Sequence, residues 1–236
     1  MSISNNVSGM NKTKADLSGG RPKAPLNVPI AKILSEKNRN DALENNENVK
    51  KKEKIMSKVA IFFADGFEEI EGLTVVDILR RAEITVDMIS IMGRKEIHGS
   101  HGIDIMSDML LEDTDFSSYD MMVLPGGGLG VQNLKKCEKL MEVIKKQALD
   151  EKYVAAICAA PTFLGMIGLL EGKKACCYEG LENELTGAIV TKDKVTKDGR
   201  IITSRGMGTS IDFALALLEE FNGSDVAKEM AQRIML

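Results

Sequence analysis

An uninterrupted apolar run, Val59-Ala60-Ile61-Phe62-Phe63-Ala64, constrains this chain more than any other feature. A strand with one wet face alternates apolar and polar side chains, whereas six apolar residues in a row require burial on both faces, as in the centre of a parallel sheet. The residues downstream of the run fit that condition. Within residues 68–82, Ile70, Leu73, Val75, Val76 and Leu79 recur at helical spacing, and residues 84–91 read as a second strand. After an extended excursion over residues 103–111, the strand Met121-Met122-Val123-Leu124 runs into Pro125-Gly126-Gly127-Gly128, whose glycines mark a tight turn. A helix over 137–150, a strand over 153–157 and a helix over about 160–169 come next. Cys176 and Cys177 fall in a short strand, Asp198-Gly199 makes a hairpin turn, and 209–221 is a long amphipathic helix. Strands alternating with helices predict an α/β fold: a doubly wound, mostly parallel sheet with helices on both faces, flavodoxin-like.

The composition changes upstream of the first strand. Residues 1–57 hold 11 Lys/Arg against 6 Asp/Glu and no aromatic residue, while 58–236 hold 20 against 29. With three of the five prolines and the run Lys50-Lys51-Lys52, the first stretch buries too little apolar surface to fold. It reads as a disordered polar and basic tail, with at most a short helix near residues 30–34, followed by one α/β domain over 58–236. A formal net charge of −4 gives no reason to expect nucleic acid or an anionic membrane as partner. No apolar run reaches the roughly 18 residues of a membrane span, and the N-terminus lacks a leader's apolar core. The four cysteines show no CxxC pairing, and His98 and His101 have no ligand neighbours at metal-site spacing. No metal site is expected, and reduced thiols in the cytoplasm are the default.

In open α/β sheets the reactive cleft lies beyond the carboxyl ends of the strands. Three motifs land there: Asp65-Gly66-Phe67-Glu68-Glu69-Ile70-Glu71, Pro125-Gly126-Gly127-Gly128-Leu129-Gly130 and Cys158-Ala159-Ala160-Pro161. A cysteine between a buried strand and a helix opened by proline has amides and a helix dipole facing its sulfur, which favours thiolate. The bland alternative is an inert core cysteine. The amides of Gly127 and Ala159, on adjacent strand ends, can form an oxyanion hole, or Gly127 can belong to a plain turn. The glycine turn lacks the Walker lysine and the GxGxxG spacing, which argues against nucleotide binding. Glu68, Glu69 and Glu71 crowd one first helical turn, where carboxylates meet the dipole favourably, and one of them facing the cleft can serve as acid or base. His98 and His101 read as surface residues away from the strand ends.

Taken together, FADGFEEIE, VLPGGGLGVQNL, AAICAAPTFLG and ITSRGMGTSIDFALALLE, in this order, resemble the ThiJ/PfpI superfamily in the branch of the Parkinsonism-associated protein deglycase. The resemblance spans residues 58–236. It implies Cys158 as nucleophile, Glu71 as a protonated carboxyl hydrogen-bonded to the thiolate, and Gly127 and Ala159 as oxyanion donors. Gly126, Tyr178 and Met207 fall at the pocket. The implied activity is glyoxalase III-like or deglycase-like: conversion of methylglyoxal or glyoxal to hydroxy acid, or attack on glycated adducts, with no cofactor. The alternative is an oxidative-stress sensor or redox-regulated chaperone built on the same cysteine; a third reading is a scaffold that only binds. A homodimer with the cleft near its interface is also implied. Three departures stand out. Tyr178 occupies the place of a histidine found in many members, Met207 replaces the usual proline of the SRGPGT segment, and Ala159 stands where the peptidase and chaperone branch has histidine. The last disfavours peptidase activity, and the first leaves the general base open.

Overall fold

The computed structural model describes residues 57–236; the expected tail and its short helix lie outside the described residues. In chain order the elements are β1 (Lys58–Phe63), α1 (Glu69–Arg81), β2 (Thr85–Ser90), β3 (Glu96–His98), β4 (Asp104–Met106), β5 (Met109–Leu110), β6 (Met121–Leu124), α2 (Gly128–Lys136), α3 (Glu138–Leu149), β7 (Tyr153–Ile157), α4 (Pro161–Met166), β8 (Lys174–Ala175), β9 (Ile189–Val190), β10 (Val195–Asp198), β11 (Ile201–Ser204), α5 (Ser210–Asn222) and α6 (Ser224–Arg233). Seven strands form one sheet in the order β10-β11-β7-β6-β1-β2-β5. Every neighbouring pair is parallel except β10 with β11. The chain leaves β1 first toward β2 and then crosses back to β6 on its other side, so the strand order reverses beside β1, the place where open sheets bind ligands.

The all-apolar reading of β1 has a direct explanation. Val59, Ile61 and Phe63 pack with Val75 and Leu79 of α1, Phe213 and Leu217 of α5 and Met230 of α6. Ala60 and Phe62 pack on the opposite face with Val131 of α2, Ile144 of α3 and Phe163 of α4. Alternate residues of one strand thus enter two separate cores, and neither face meets water.

Several boundaries differ from the sequence reading. The glycine turn opens a helix, α2, that the sequence does not announce. Ile70 does not join the buried stripe of α1; its side chain is exposed, and Ile78 takes a place in the stripe instead. The excursion over 103–111 contains two short strands, and β3 and β4 form an antiparallel hairpin. Cys176 and Cys177 follow β8 rather than lying in it; the Cys176 amide donates to Thr203 Oγ1 at 3.0 Å. Asp198 is the last paired residue of β10, so the hairpin turn is Gly199-Arg200, with Gly199 at φ +61°. Helix α4 stops at Met166, short of the expected residue 169, because Gly168 turns into the left-handed region at φ +81°. Among the described residues no helix is long and apolar enough to cross a membrane.

Candidate active site

The first turn of α1 distributes its three glutamates by helical phase, about 100° per residue. Glu68 caps the helix, its Oε2 accepting the Glu71 amide at 2.7 Å. Glu69 turns toward the β3–β4 loop, and Glu71, 1% exposed, points beneath the strand ends. Glu71 Oε2 accepts the Gly126 amide at 3.0 Å. Its carboxyl group also accepts the Met207 amide and shares a hydrogen bond with Cys158.

Cys158 is the first residue past β7 and sits at φ +66°, a left-handed conformation that costs a non-glycine residue on the order of 1–3 kcal/mol. The turn is held from both sides: the Cys158 amide donates to Ser204 O at 3.0 Å, and its carbonyl accepts the Tyr178 amide at 2.8 Å. Such a bend lifts the side chain off the sheet, as in a nucleophile elbow. The Ala159 and Gly127 amides both hydrogen-bond the sulfur. Absent side chains leave room for this grouping. A Cβ on Gly126 would stand 2.4 Å from Glu71 Oε2 and 2.6 Å from Cys158 Cβ. The structure therefore brings Cys158, Glu71, Gly126, Gly127 and Ala159 to one point, with Tyr178 and Met207 at its mouth.

The electrostatics differ from what the helix end alone suggests. Burial, then the charge and hydrogen bond of Glu71, push the Cys158 thiol up to about 12, and the Ala159 and Gly127 amides offset this only in part. Helix α4 is six residues long, a weak source of dipole stabilisation. Burial likewise pushes Glu71 up to about 7 against its hydrogen bonds from Cys158, Gly126 and Met207, with the charge of Glu68 adding to the rise. A thiolate therefore forms here by passing its proton to Glu71, which keeps two negative charges from meeting at hydrogen-bond range. Of the other cysteines, burial raises Cys137, and burial followed by the Glu182 charge pushes Cys177 up to about 12. Cys158 is set apart by its contact with Glu71.

The end of β11 supplies a wall that the sequence reading leaves out. A Cβ on Gly206 would lie 3.8 Å from Glu71 Oε1, 3.9 Å from Cys158 Sγ and 3.5 Å from the Tyr178 ring. Thr209 fastens this segment, its hydroxyl meeting Ser204 Oγ at 2.7 Å and accepting the Gly206 amide at 3.2 Å. Beyond Gly206 opens a cavity of about 450 Å³ bordered by Tyr178, Arg205, Met207 and Thr209. The available signal was positional, since Ser204-Arg205-Gly206 follows a strand just as the other site motifs do.

His98 and His101 are exposed but lie beside the carboxyl end of β1, contrary to the reading from sequence. Phe67 bridges Gly99, and the Gly66 amide donates to His98 O at 2.7 Å. The buried Glu69 carboxylate accepts the His101 amide at 2.6 Å, His101 Nδ1 at 2.8 Å and Ser100 Oγ at 3.2 Å. Burial alone would raise Glu69, but these bonds outweigh it and bring the group down to about 2. His101 is raised by its bond to Glu69. Glu68, Glu69 and His101 hold donor atoms within 4.8 Å of one another, yet a cation there would have to displace the bonds just described. The pH consequence has a definite sign. Glu69, depressed from 4.5, contributes fully above that value and is lost as pH falls through about 2. His101, raised from 6.5, contributes fully below 6.5 and is lost as pH rises through its folded-state value. The pair is therefore strongest between 4.5 and 6.5. His101→Gln should lower the melting temperature most in that window, with a deficit that narrows as pH rises through the folded-state value of His101. An equal deficit at both ends would show that the imidazolium charge contributes nothing.

Residues 57–220 match the DJ-1/PfpI family. Protein DJ-1 homolog B of Arabidopsis thaliana is 36% identical over 180 residues, covering 76% of this chain, which spans only 41% of that relative's length. The Parkinson disease protein 7 homolog of Danio rerio is 36% identical over 183 residues, covering 76% of this chain and 97% of the relative. Among solved structures, oxidized Toxoplasma gondii DJ-1 superposes with a TM-score of 0.73 at 30% identity, over 76% of this chain and 98% of the other.

Proposed function

The chain belongs to the DJ-1/PfpI family, and from that premise we propose that it converts α-oxoaldehydes such as methylglyoxal and glyoxal to hydroxy acids without glutathione. The observation that carries the reading is the Glu71 carboxyl group packed against the Cys158 sulfur, so close that a Cβ at Gly126 would meet Glu71 Oε2 at 2.4 Å and Cys158 Sγ at 3.1 Å. The Cys158 sulfur adds to the aldehyde carbon, forming the C–S bond, while Glu71 accepts the thiol proton. The new oxyanion meets the Gly127 and Ala159 amides. Glu71 passes its proton to this oxyanion and, freed as a carboxylate, takes the hydrogen on the aldehyde carbon as a proton and returns it to the neighbouring carbonyl carbon through an enediol. The first carbon is thereby oxidised to a thioester and the second reduced to an alcohol, so no external oxidant enters. Water hydrolyses the thioester, releasing hydroxy acid and the thiol. The same residues would act on a glycated adduct that presents a comparable carbonyl carbon. Purified protein should form lactate from methylglyoxal with glutathione absent, and Cys158→Ser should abolish it; lactate production that survives this exchange would refute the assignment.

A second reading has its own support: the family resemblance sets Tyr178 where many members carry a histidine, which leaves this chain without that base, and the matched Toxoplasma gondii structure is of an oxidized protein. In this reading two equivalents of peroxide oxidise Cys158 to a sulfinic acid that protonated Glu71 stabilises. A mass gain of two oxygens on Cys158 at low peroxide, with no hydroxy acid formed, would decide for it. We also propose a homodimer, in which a second copy covers Ile70 and Leu129, both exposed large apolar side chains. Light scattering should then give twice 25.8 kDa.

A further inference from the structure

The cavity beyond Gly206, whose other side faces the Cys158 sulfur, is larger than a three-carbon substrate requires. Its volume of about 450 Å³ lies in the range of small-molecule sites, roughly 300–1,000 Å³, and it is open to solvent along one side. Methylglyoxal would leave most of it to water. Two large apolar side chains border the space, Tyr178 and Met207, 55% and 53% exposed. The charged groups at the border, Arg205 and Glu179, face each other at 3.9 Å and offset one another, so they favour no substrate charge. The Thr209 hydroxyl is already bonded to Ser204 and Gly206. What remains for a ligand is an aromatic face and a polarizable thioether, which together suit a flat apolar group.

Both walls are fastened to the reacting groups. The Tyr178 amide donates to Cys158 O at 2.8 Å, and its carbonyl accepts from the Leu181 amide at 3.1 Å and Cys177 Sγ at 3.3 Å. The base of the ring is thus set relative to the nucleophile. Met207 holds Glu71 through its own amide. The space that a Cβ at Gly206 would fill lies 3.5 Å from Tyr178 Cδ2 and 3.9 Å from Cys158 Sγ. The ring therefore stands about one substituent away from a carbonyl carbon bound at the sulfur.

Building on the oxoaldehyde reading, we infer that Tyr178 determines specificity, favouring neutral oxoaldehydes with an aromatic substituent over methylglyoxal. The substituent lies against the Tyr178 ring while the aldehyde carbon meets the sulfur, and the bonds made and broken are those already given. The test compares kcat/KM for phenylglyoxal and methylglyoxal on the full chain. Mandelate and lactate are measured directly, so arginine modification by phenylglyoxal does not count as turnover. The wild-type ratio should exceed one, fall roughly tenfold in Tyr178→Ala through a rise in KM for phenylglyoxal, and be kept by Tyr178→Phe. A wild-type ratio of one or less, or a ratio that Tyr178→Ala leaves alone, overturns the inference while the oxoaldehyde reading stands. A wild-type protein that forms neither acid overturns both.

Discussion

Exchanging Glu71 for glutamine should cut hydroxy-acid formation at least a hundredfold while Cys158 remains open to alkylation by iodoacetamide. The two groups divide the work: the sulfur makes the bond, and the carboxyl group holds and returns the proton. Glutamine has nearly the same shape, and its carbonyl oxygen can still accept the Gly126 amide that Glu71 accepts at 3.0 Å. It cannot take up the thiol proton. Positioned proton transfer contributes roughly 10²–10⁴-fold, which sets the size of the loss. The pH profile supplies a second readout. The pair gives up one proton near 7 and holds the other toward 12, and these values belong to the pair as a unit. The singly protonated pair is the working form, so kcat/KM should rise through about 7 with the slope of one proton and then level off. In Glu71→Gln that limb should move or vanish. Turnover within a few-fold of wild type in the variant would remove Glu71 from the chemistry, whatever its proximity to the sulfur.

Gly127→Ala should lower the melting temperature by about 6–12 °C, corresponding to about 3 kcal/mol in a domain of this size. A Cβ at Gly127 would fall 2.2 Å from Gly66 O and 2.7 Å from the Glu68 amide nitrogen, both backbone atoms with no rotamer to yield. Gly127 is also at φ +99°, where an L side chain is strained even in open space. Relief requires the glycine turn to move away from the loop after β1, breaking the Glu68 N–H to Gly126 O bond of 3.0 Å and the Gly130 N–H to Gly66 O bond of 2.9 Å. The Gly127 amide would leave the sulfur with it, so the protein that stays folded should also lose activity. The neighbouring position is the control. Gly128 is exposed in the first turn of α2, and a Cβ there meets nothing within 4 Å, so Gly128→Ala should lower stability by no more than about 0.5 kcal/mol. Similar melting temperatures for the two variants would contradict the close approach of the two loops.

The fold was readable where neighbours along the chain carry the signal. Continuous apolar runs in β1 and β6 required two covered faces, and Cys158 at a strand-to-helix junction marked an elbow. Helix α2 was not readable, because Gly128 and Gly130 lower its intrinsic propensity by up to about 1 kcal/mol each and it forms through buried Val131 and Leu134. Nor could the phase of α1 be read: three glutamates within four residues leave open which one faces the cleft, since moving the helix start by one residue turns every side chain by about 100°. The bond between Glu69 and His101 joins residues 32 apart and depends on how the β3–β4 hairpin folds back.

Residue order alone was enough for the parallel sheet, the two-sided core and three of the motifs that meet at its carboxyl end. Periodicity and chain punctuation are local, and they survive without knowledge of distant contacts. The protonation of Cys158, the partner of Glu69 and the Gly206 wall were settled by packing. Desolvation and charge coupling depend on which remote atoms crowd a group, and here they reversed the shift that a helix end by itself would give the thiol.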